Sequence, residues 1–343
     1  MNKDTLLKVG VIGCGTIVDT VHLPVLLNIN NIEISFLFDS DIEKSKKLAR
    51  KFKLPYVGQK ENIDWKEPDI FLIAIPYGAR DNIYSEISSK AKKEASIFVE
   101  KPVVLSEEDI QKFRCMGLFS RTFAGFMRRH QSNTNILKEA VSNRNFVENI
   151  KEIDISEGSK VTSTSFESSN YRTSAKLSGG GVLAETSCHI LDQLCYLFPG
   201  FDFKVSNSFI IYDGGIDVHV DATIKLTKGD INIPIKASFS RLKNIPSKIN
   251  IIGNEISLKS GTKPEDKVLI EFNNSKGNFY TIDHKPGFSH KSYQSFYLEW
   301  MSVISDILDK KQSVNRLSNT YNSGILIESL YNFANKKKNI EKI

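Results

Sequence analysis

Residues 7–15, LKVGVIGCG, constrain this chain more than any other stretch. A β-branched apolar run ends directly on a Gly-Cys-Gly turn, and an apolar-periodic segment follows to about Asn28. A strand, a glycine turn and a helix in that order predict the opening βα unit of a parallel sheet. The glycines permit a tight turn and let the backbone approach a pyrophosphate, which a helix N-terminus stabilises. The third glycine of the full fingerprint is absent, with Val18 in its place. Asp39 stands 24 residues beyond Gly15, at the end of the next apolar run, where an acidic side chain holds adenosine ribose hydroxyls. A 2′-phosphate would meet that carboxylate, so the pattern predicts NAD in preference to NADP. The competing reading is a doubly wound domain without dinucleotide, in which Asp39 caps the following helix.

The same rhythm continues through the first third of the chain. Strands are expected at 32–38, 70–75 and 96–99, with helices at 41–51 and 79–90. Beyond about residue 122 it changes. Residues 217–226 alternate strictly, with Val218, Val220, Ala222, Ile224 and Leu226 on one face, the mark of a half-exposed antiparallel strand. Similar alternation near 148–156, 231–240 and 248–252 predicts one large, mostly antiparallel sheet, and 293–309 and 317–335 return to helical periodicity. The fold class is α/β: a Rossmann domain at 1–122 and an α+β domain with an open sheet at 123–343. Sheet-on-sheet packing would suit a homodimer or homotetramer.

Composition narrows the function classes. With 40% hydrophobic residues in 343, the chain is too apolar for disorder, yet no run reaches the ~18 apolar residues of a membrane span. The N-terminus does not read as a secretory signal. Four cysteines without paired spacing imply neither a disulfide frame nor a zinc site, and read as packing residues of a cytoplasmic protein. The net charge of +6 is scattered apart from Lys336–Lys338, which argues against nucleic acid and mildly favours an anionic small molecule.

Two further constellations carry chemistry. Glu100-Lys101-Pro102 ends the strand at 96–99, and ligands of open α/β sheets sit beyond the carboxyl ends of strands. A lysine there can polarise a carbonyl or alkoxide; the bland reading is a surface residue. Residues 179–192 run GGGVLAETSCHILD. Glu185 and His189 are four apart, so they share a helix face with Asp192 nearby, and a histidine beside carboxylates suits proton transfer. A buried, hydrogen-bonded histidine is the alternative; no dense ligand cluster supports a metal. His219 reads as the polar face of a strand, His284 and His290 as loop residues, and His22 as a helix-packing or capping group.

Taken together, these residues resemble the glucose–fructose oxidoreductase, inositol dehydrogenase and MocA family over nearly the whole chain. The pieces are VGVIGCGTI followed by His22-Leu23-Pro24, VEKP at 99–102, GFMRR at 125–129, Tyr171-Arg172 and the glycine-triplet run. The resemblance implies NAD(P)-dependent hydride transfer at a CH–OH or ketone carbon of a sugar, cyclitol or sugar-nucleotide derivative. It implies a cofactor site of Gly13, Gly15, Thr16, Ile17, Asp39, Pro76, Glu100 and Lys101. It also implies a catalytic group of Lys101, Glu185 and His189, with Arg172 as a substrate contact suited to phosphate or carboxylate. Three positions depart from the family pattern: Glu185 where aspartate is common, Ser187 for a glycine, and Arg80 for a histidine. They motivate a second hypothesis, a non-catalytic cofactor-binding or sensor protein on the same fold. A third is a divergent member reducing an unrelated ring system.

Overall fold

The computed structural model describes residues 5–161, 170–273, 279–282 and 291–340. They form two compact units, Met1–Met127 with Ser292–Tyr321, and Arg128–Lys291 with Asn322–Ile343.

The first unit is built on a parallel sheet of β1 (Leu7–Ile12), β2 (Ile32–Phe38), β3 (Ile70–Ile73), β4 (Ser96–Glu100) and β5 (Thr122–Gly125), in the order β2-β1-β3-β4-β5. All four side chains of β3 are buried, as are all of β1 but Lys8, because helices cover both faces of such a sheet. The strand order reverses between β1 and β3, so the turns after these strands flank the topological switch point where ligands bind. The helix Ile42–Phe52 starts on Asp41, whose side chain accepts the Glu43 N–H, and ends on Lys53 in the left-handed region.

Two expectations are corrected here. The segment after the glycine turn is not a continuous α-helix: it opens as a π-turn, Val18–His22, and continues as a single α-turn, Leu23–Leu26. The division at residue 122 is also not the one the contacts make. β5 runs to Gly125 and completes the parallel sheet, and the helix Lys291–Asp309 returns to the first unit. Its Trp300, with no exposed surface, stacks on Phe98 of β4 at 4.4 Å between ring centroids. Burying aromatic area of that size is worth several kcal/mol at roughly 25 cal/mol per Å², enough to recruit a distant helix.

The second unit carries an eight-stranded sheet. Its strands are β6 (Ile150–Gly158), β7 (Asp202–Asp213), β8 (Ile216–Lys228), β9 (Ile231–Ser240), β10 (Ile245–Gly253), β11 (Ile256–Gly261), β12 (Val268–Phe272) and β13 (Phe279–Ile282). They lie in the order β13-β12-β11-β10-β6-β9-β8-β7, antiparallel except for the β6–β9 pair. On β8, Val220, Ala222, Ile224 and Leu226 are buried as the alternation requires, whereas Val218 is half-buried. On the edge strand β7, Phe209 and Ile211 are exposed.

Candidate functional site

Gly13 ends β1 in the left-handed region at φ +99°, and its N–H donates to Phe38 O at 2.8 Å. A Cβ there would stand 2.5 Å from Ala74 O, so the close approach of the turn to β3 requires glycine. Gly15 differs: a Cβ would meet nothing within 4 Å. Its side is open, which is the cradle a diphosphate needs. Its carbonyl accepts the N–H groups of Val18 and Asp19, both at 3.1 Å, and so winds the first turn. Val18 is fully buried, so helix–sheet packing here accommodates a valine. Thr16 is exposed, and Ile17 and Pro76 are half-buried.

Asp39 lies just past β2, anchored by backbone. One oxygen accepts the Cys14 N–H at 2.7 Å and the other the Asp41 N–H at 2.9 Å. Asp41, not Asp39, is the cap of the next helix. Each Asp39 oxygen has a further lone pair, so the carboxylate is fixed at the rim of the turn and still able to accept a ribose hydroxyl. The residues therefore fit an adenine dinucleotide.

At the end of β4 the half-buried Glu100 folds back on its own turn, accepting the Lys101 N–H at 3.2 Å through Oε2. Its Oε1 lies 2.8 Å from Nε2 of His22, which is fully buried and in turn receives the Trp300 indole N–H on Nδ1 at 3.1 Å. Burial opposes the Glu100 charge, but the His22 hydrogen bond and the nearby Lys101 and Arg80 charges outweigh it and hold its carboxyl below the usual range. Arg80 is buried; its Nε donates to Ile75 O at 2.9 Å and its Nη1 to Pro102 O. It thus ties the turn after β3 to the residue following Lys101. The Lys101 side chain is half-buried.

In the second unit the glycine triplet approaches Asp217 and Tyr331. The Asp217 carboxylate accepts the N–H groups of Gly181 and Leu183 (the latter at 2.8 Å) and the Tyr331 hydroxyl at 2.7 Å. A Cβ on Gly181 would fall 1.9 Å from Asp217 O, so no other residue fits. Burial pushes the Asp217 carboxyl up against these three donors. Glu185 lies in a π-turn, Leu183–Ser187, ahead of the α-helix Cys188–Leu197. It is held by two arginines: Arg172 Nε at 2.7 Å from Oε1, and Arg241 Nη2 on Oε2. Arg241 also donates to Gly181 O at 3.2 Å, and burial with the neighbouring Arg172 charge lowers its pKa. Arg172 also donates through Nε to the Tyr171 hydroxyl at 3.2 Å, and its side chain remains 46% exposed.

His189 is half-buried on the following α-helix. Asp192 is not beside it in function: Arg129 binds both its oxygens at 2.7 Å. Both carboxylates of this run are thus arginine-bound, Glu185 by Arg172 and Arg241 and Asp192 by Arg129. The preceding Arg128 pairs with Glu157 through Nη1 at 3.0 Å and Nη2 at 2.6 Å, so both arginines of the GFMRR motif are anchors. His219 is buried, not surface-polar, with Nε2 3.0 Å from Asp221. Cys115 is exposed and so is not a packing residue; Cys14, Cys188 and Cys195 are buried. Burial, with Asp39 nearby, pushes the Cys14 thiol up to about 12. His284 and His290 lie outside the described residues. Sequence reasoning missed Arg241, Asp217 and Trp300, each of which meets its partner only through folding.

These features suit a dinucleotide-binding domain. Residues 7–115 match the GFO_IDH_MocA model, described as an oxidoreductase family with an NAD-binding Rossmann fold, and the N-terminal domain is that family's NAD-binding domain. Among solved structures the chain is similar to KijD10, a 3-ketoreductase from Actinomadura kijaniata in complex with NADP and TDP-benzene. The identity is 15% and the TM-score 0.76, covering 96% of this chain and 98% of that one. It is likewise similar to levoglucosan dehydrogenase in complex with NADH and levoglucosan (14%, TM-score 0.80, 97% and 98% covered). GenD2 from gentamicin A biosynthesis, in complex with NAD, gives 14% and 0.76, covering 97% and 95%. No curated protein matches the sequence. Among the described residues no helix is long and apolar enough to cross a membrane.

Proposed function

We propose that this protein is an NAD-dependent oxidoreductase that moves hydride between nicotinamide and a carbinol or ketone carbon of a sugar, cyclitol or sugar-nucleotide derivative. The observation that carries the reading is the open Gly15 turn beside the backbone-anchored Asp39, at the switch point of a domain that matches the family. Two structures to which the chain is similar, a 3-ketoreductase with NADP and a levoglucosan dehydrogenase with NADH, support the substrate class. Asp39 favours NAD over NADP, since a 2′-phosphate beside a carboxylate is repelled.

The bound nicotinamide supplies the hydride acceptor or donor. Lys101 offers its ammonium to the substrate oxygen as negative charge develops. His189 accepts the hydroxyl proton on oxidation and returns it on reduction. Glu185 has a different task from the acid the spacing suggested. Two guanidinium partners favour its ionised form, so it holds Arg172 and Arg241 in place. Two arginines on one carboxylate leave an excess positive charge, and the half-exposed Arg172 suits a substrate phosphate or carboxylate. We further read the protein as a cytoplasmic homodimer or homotetramer, with the exposed Phe209 and Ile211 as part of the contact.

A panel of sugars, inositols, sugar phosphates and nucleotide sugars, screened for NAD(H) turnover in both directions, tests the reading. Turnover of at least one member, stronger when it is anionic, is the expected result. Nicotinamide binding without turnover across the panel would favour the second reading, a sensor. That reading has its own support in the engagement of Glu185 by two arginines.

A further inference from the structure

The first unit contains a buried histidine whose environment permits one tautomer. Indole N–H is only a donor, so Nδ1 of His22, which receives it from Trp300 at 3.1 Å, is the unprotonated nitrogen. The ring hydrogen therefore sits on Nε2, aimed at Glu100 Oε1 2.8 Å away, and a carboxylate only accepts. The opposite tautomer would set N–H against N–H and lone pair against lone pair. No water can relieve that clash, because both His22 and Trp300 have no exposed surface. Gly125 completes the seat: a Cβ there would stand 3.3 Å from Glu100 Oε1, tighter than ordinary contact.

We propose that Trp300, His22 and Glu100 form a positioning chain for Lys101, in which the Trp300 indole and the Glu100 carboxylate together set the His22 tautomer and His22 in turn fixes the carboxylate that holds the Lys101 backbone. Arg80 secures the other side of the same turn through Pro102 O. Lys101 is thereby bracketed: the residue before it is tied to the helix Lys291–Asp309, 278 positions from His22 in sequence, and the residue after it to the turn beyond β3. The proposal rests on the reading of Lys101 as the group that meets the substrate oxygen. His22, Trp300 and Glu100 are positioning residues.

The test combines a spectrum with kinetics. Nitrogen NMR of the full-length protein with labelled histidine, with His22 assigned by its loss in His22→Gln, should show hydrogen on Nε2 alone. In Trp300→Phe, which keeps an aromatic ring but removes the indole N–H, Nδ1 loses its donor, so its resonance should move away from the wild-type position while Nε2 keeps the hydrogen that Glu100 accepts. Should Trp300→Phe fail to fold, the His22 variants carry the test. With a substrate from the panel above, His22→Leu should lower kcat on the order of 10–100-fold, as for a misplaced group, with NAD affinity and KM little changed. His22→Gln, which restores an N–H toward Glu100, should recover most of the loss. Hydrogen on Nδ1 in the wild type, or unchanged kcat in His22→Leu, would overturn the chain. Full turnover in Lys101→Ala would instead overturn the role of Lys101, and with it what the chain is for, whereas the spectrum reports on the chain independently.

Discussion

Arg129 donates through Nε and Nη2 to the two oxygens of Asp192, 2.7 Å each, and both side chains are 1% exposed. This pair joins the arginine motif after β5 to the helix that carries His189. Removing one partner leaves an uncompensated buried charge. Arg129→Leu or Asp192→Leu should each cost about 3–5 kcal/mol, and the double replacement clearly less than the sum. Urea unfolding of the three variants measures this; additive losses would show that the two residues are not coupled.

The glycines of the first turn should separate fold from binding. Gly13→Ala forces a Cβ into the left-handed region and against Ala74 O, so it should lower the melting temperature of the apoprotein by several degrees. Gly15→Ala meets open space, so stability should hold while NAD affinity falls. Calorimetry of each variant with and without NAD reads both effects. A Gly15→Ala variant that binds normally would remove the diphosphate from this position.

Asp39 should matter to the cofactor through its charge. Loss of a charged hydrogen-bond acceptor is worth ~1.5–3 kcal/mol, so Asp39→Ala should weaken NAD binding about 10- to 100-fold. NADP binding should weaken less, or improve, because the repulsion disappears with the carboxylate. Equal NAD affinity in titration calorimetry would sink the ribose assignment.

Acid should reveal the Glu100 seat. Its folded pKa lies below the ordinary value of 4.5, so the fold favours the charged form. That contribution is present above about pH 4.5 and is lost as pH falls through the folded value. Glu100→Gln should accordingly be less stable at neutral pH and show a flatter decline in stability below pH 4.5. A variant profile parallel to wild type through the acid range would contradict the shift.

Much of the first unit was legible because parallel strands are buried on both faces. Residues 32–38 are a strand with the very bounds that the run IEISFLF suggests, and 231–240 match as well. β5 was not seen: TFAG is four residues with a terminal glycine, too short for periodicity to register. β7 hides behind polar residues because one of its faces is exposed along an edge. The π-turn at Val18–His22 has no local signal distinguishing it from an α-turn. At the site, motifs named the residues but not their partners. Glu185 finds Arg241 across 56 positions, and only the folded sheet brings the end of β9 to the glycine-triplet helix. Arg241 holds Glu185 and Arg129 holds Asp192, and helix spacing carries no signal of either contact.

The most direct test of the account is turnover of the substrate found in the panel by Lys101→Ala and His189→Ala, measured by reduced-nicotinamide absorbance beside a control of NAD affinity. At saturating NAD both variants should lose at least about 100-fold in kcat, the scale of a missing oxyanion donor or general base, and His189→Ala should bind NAD nearly as the wild type does. Wild-type turnover in either one would contradict the assignment of the chemistry to these two residues.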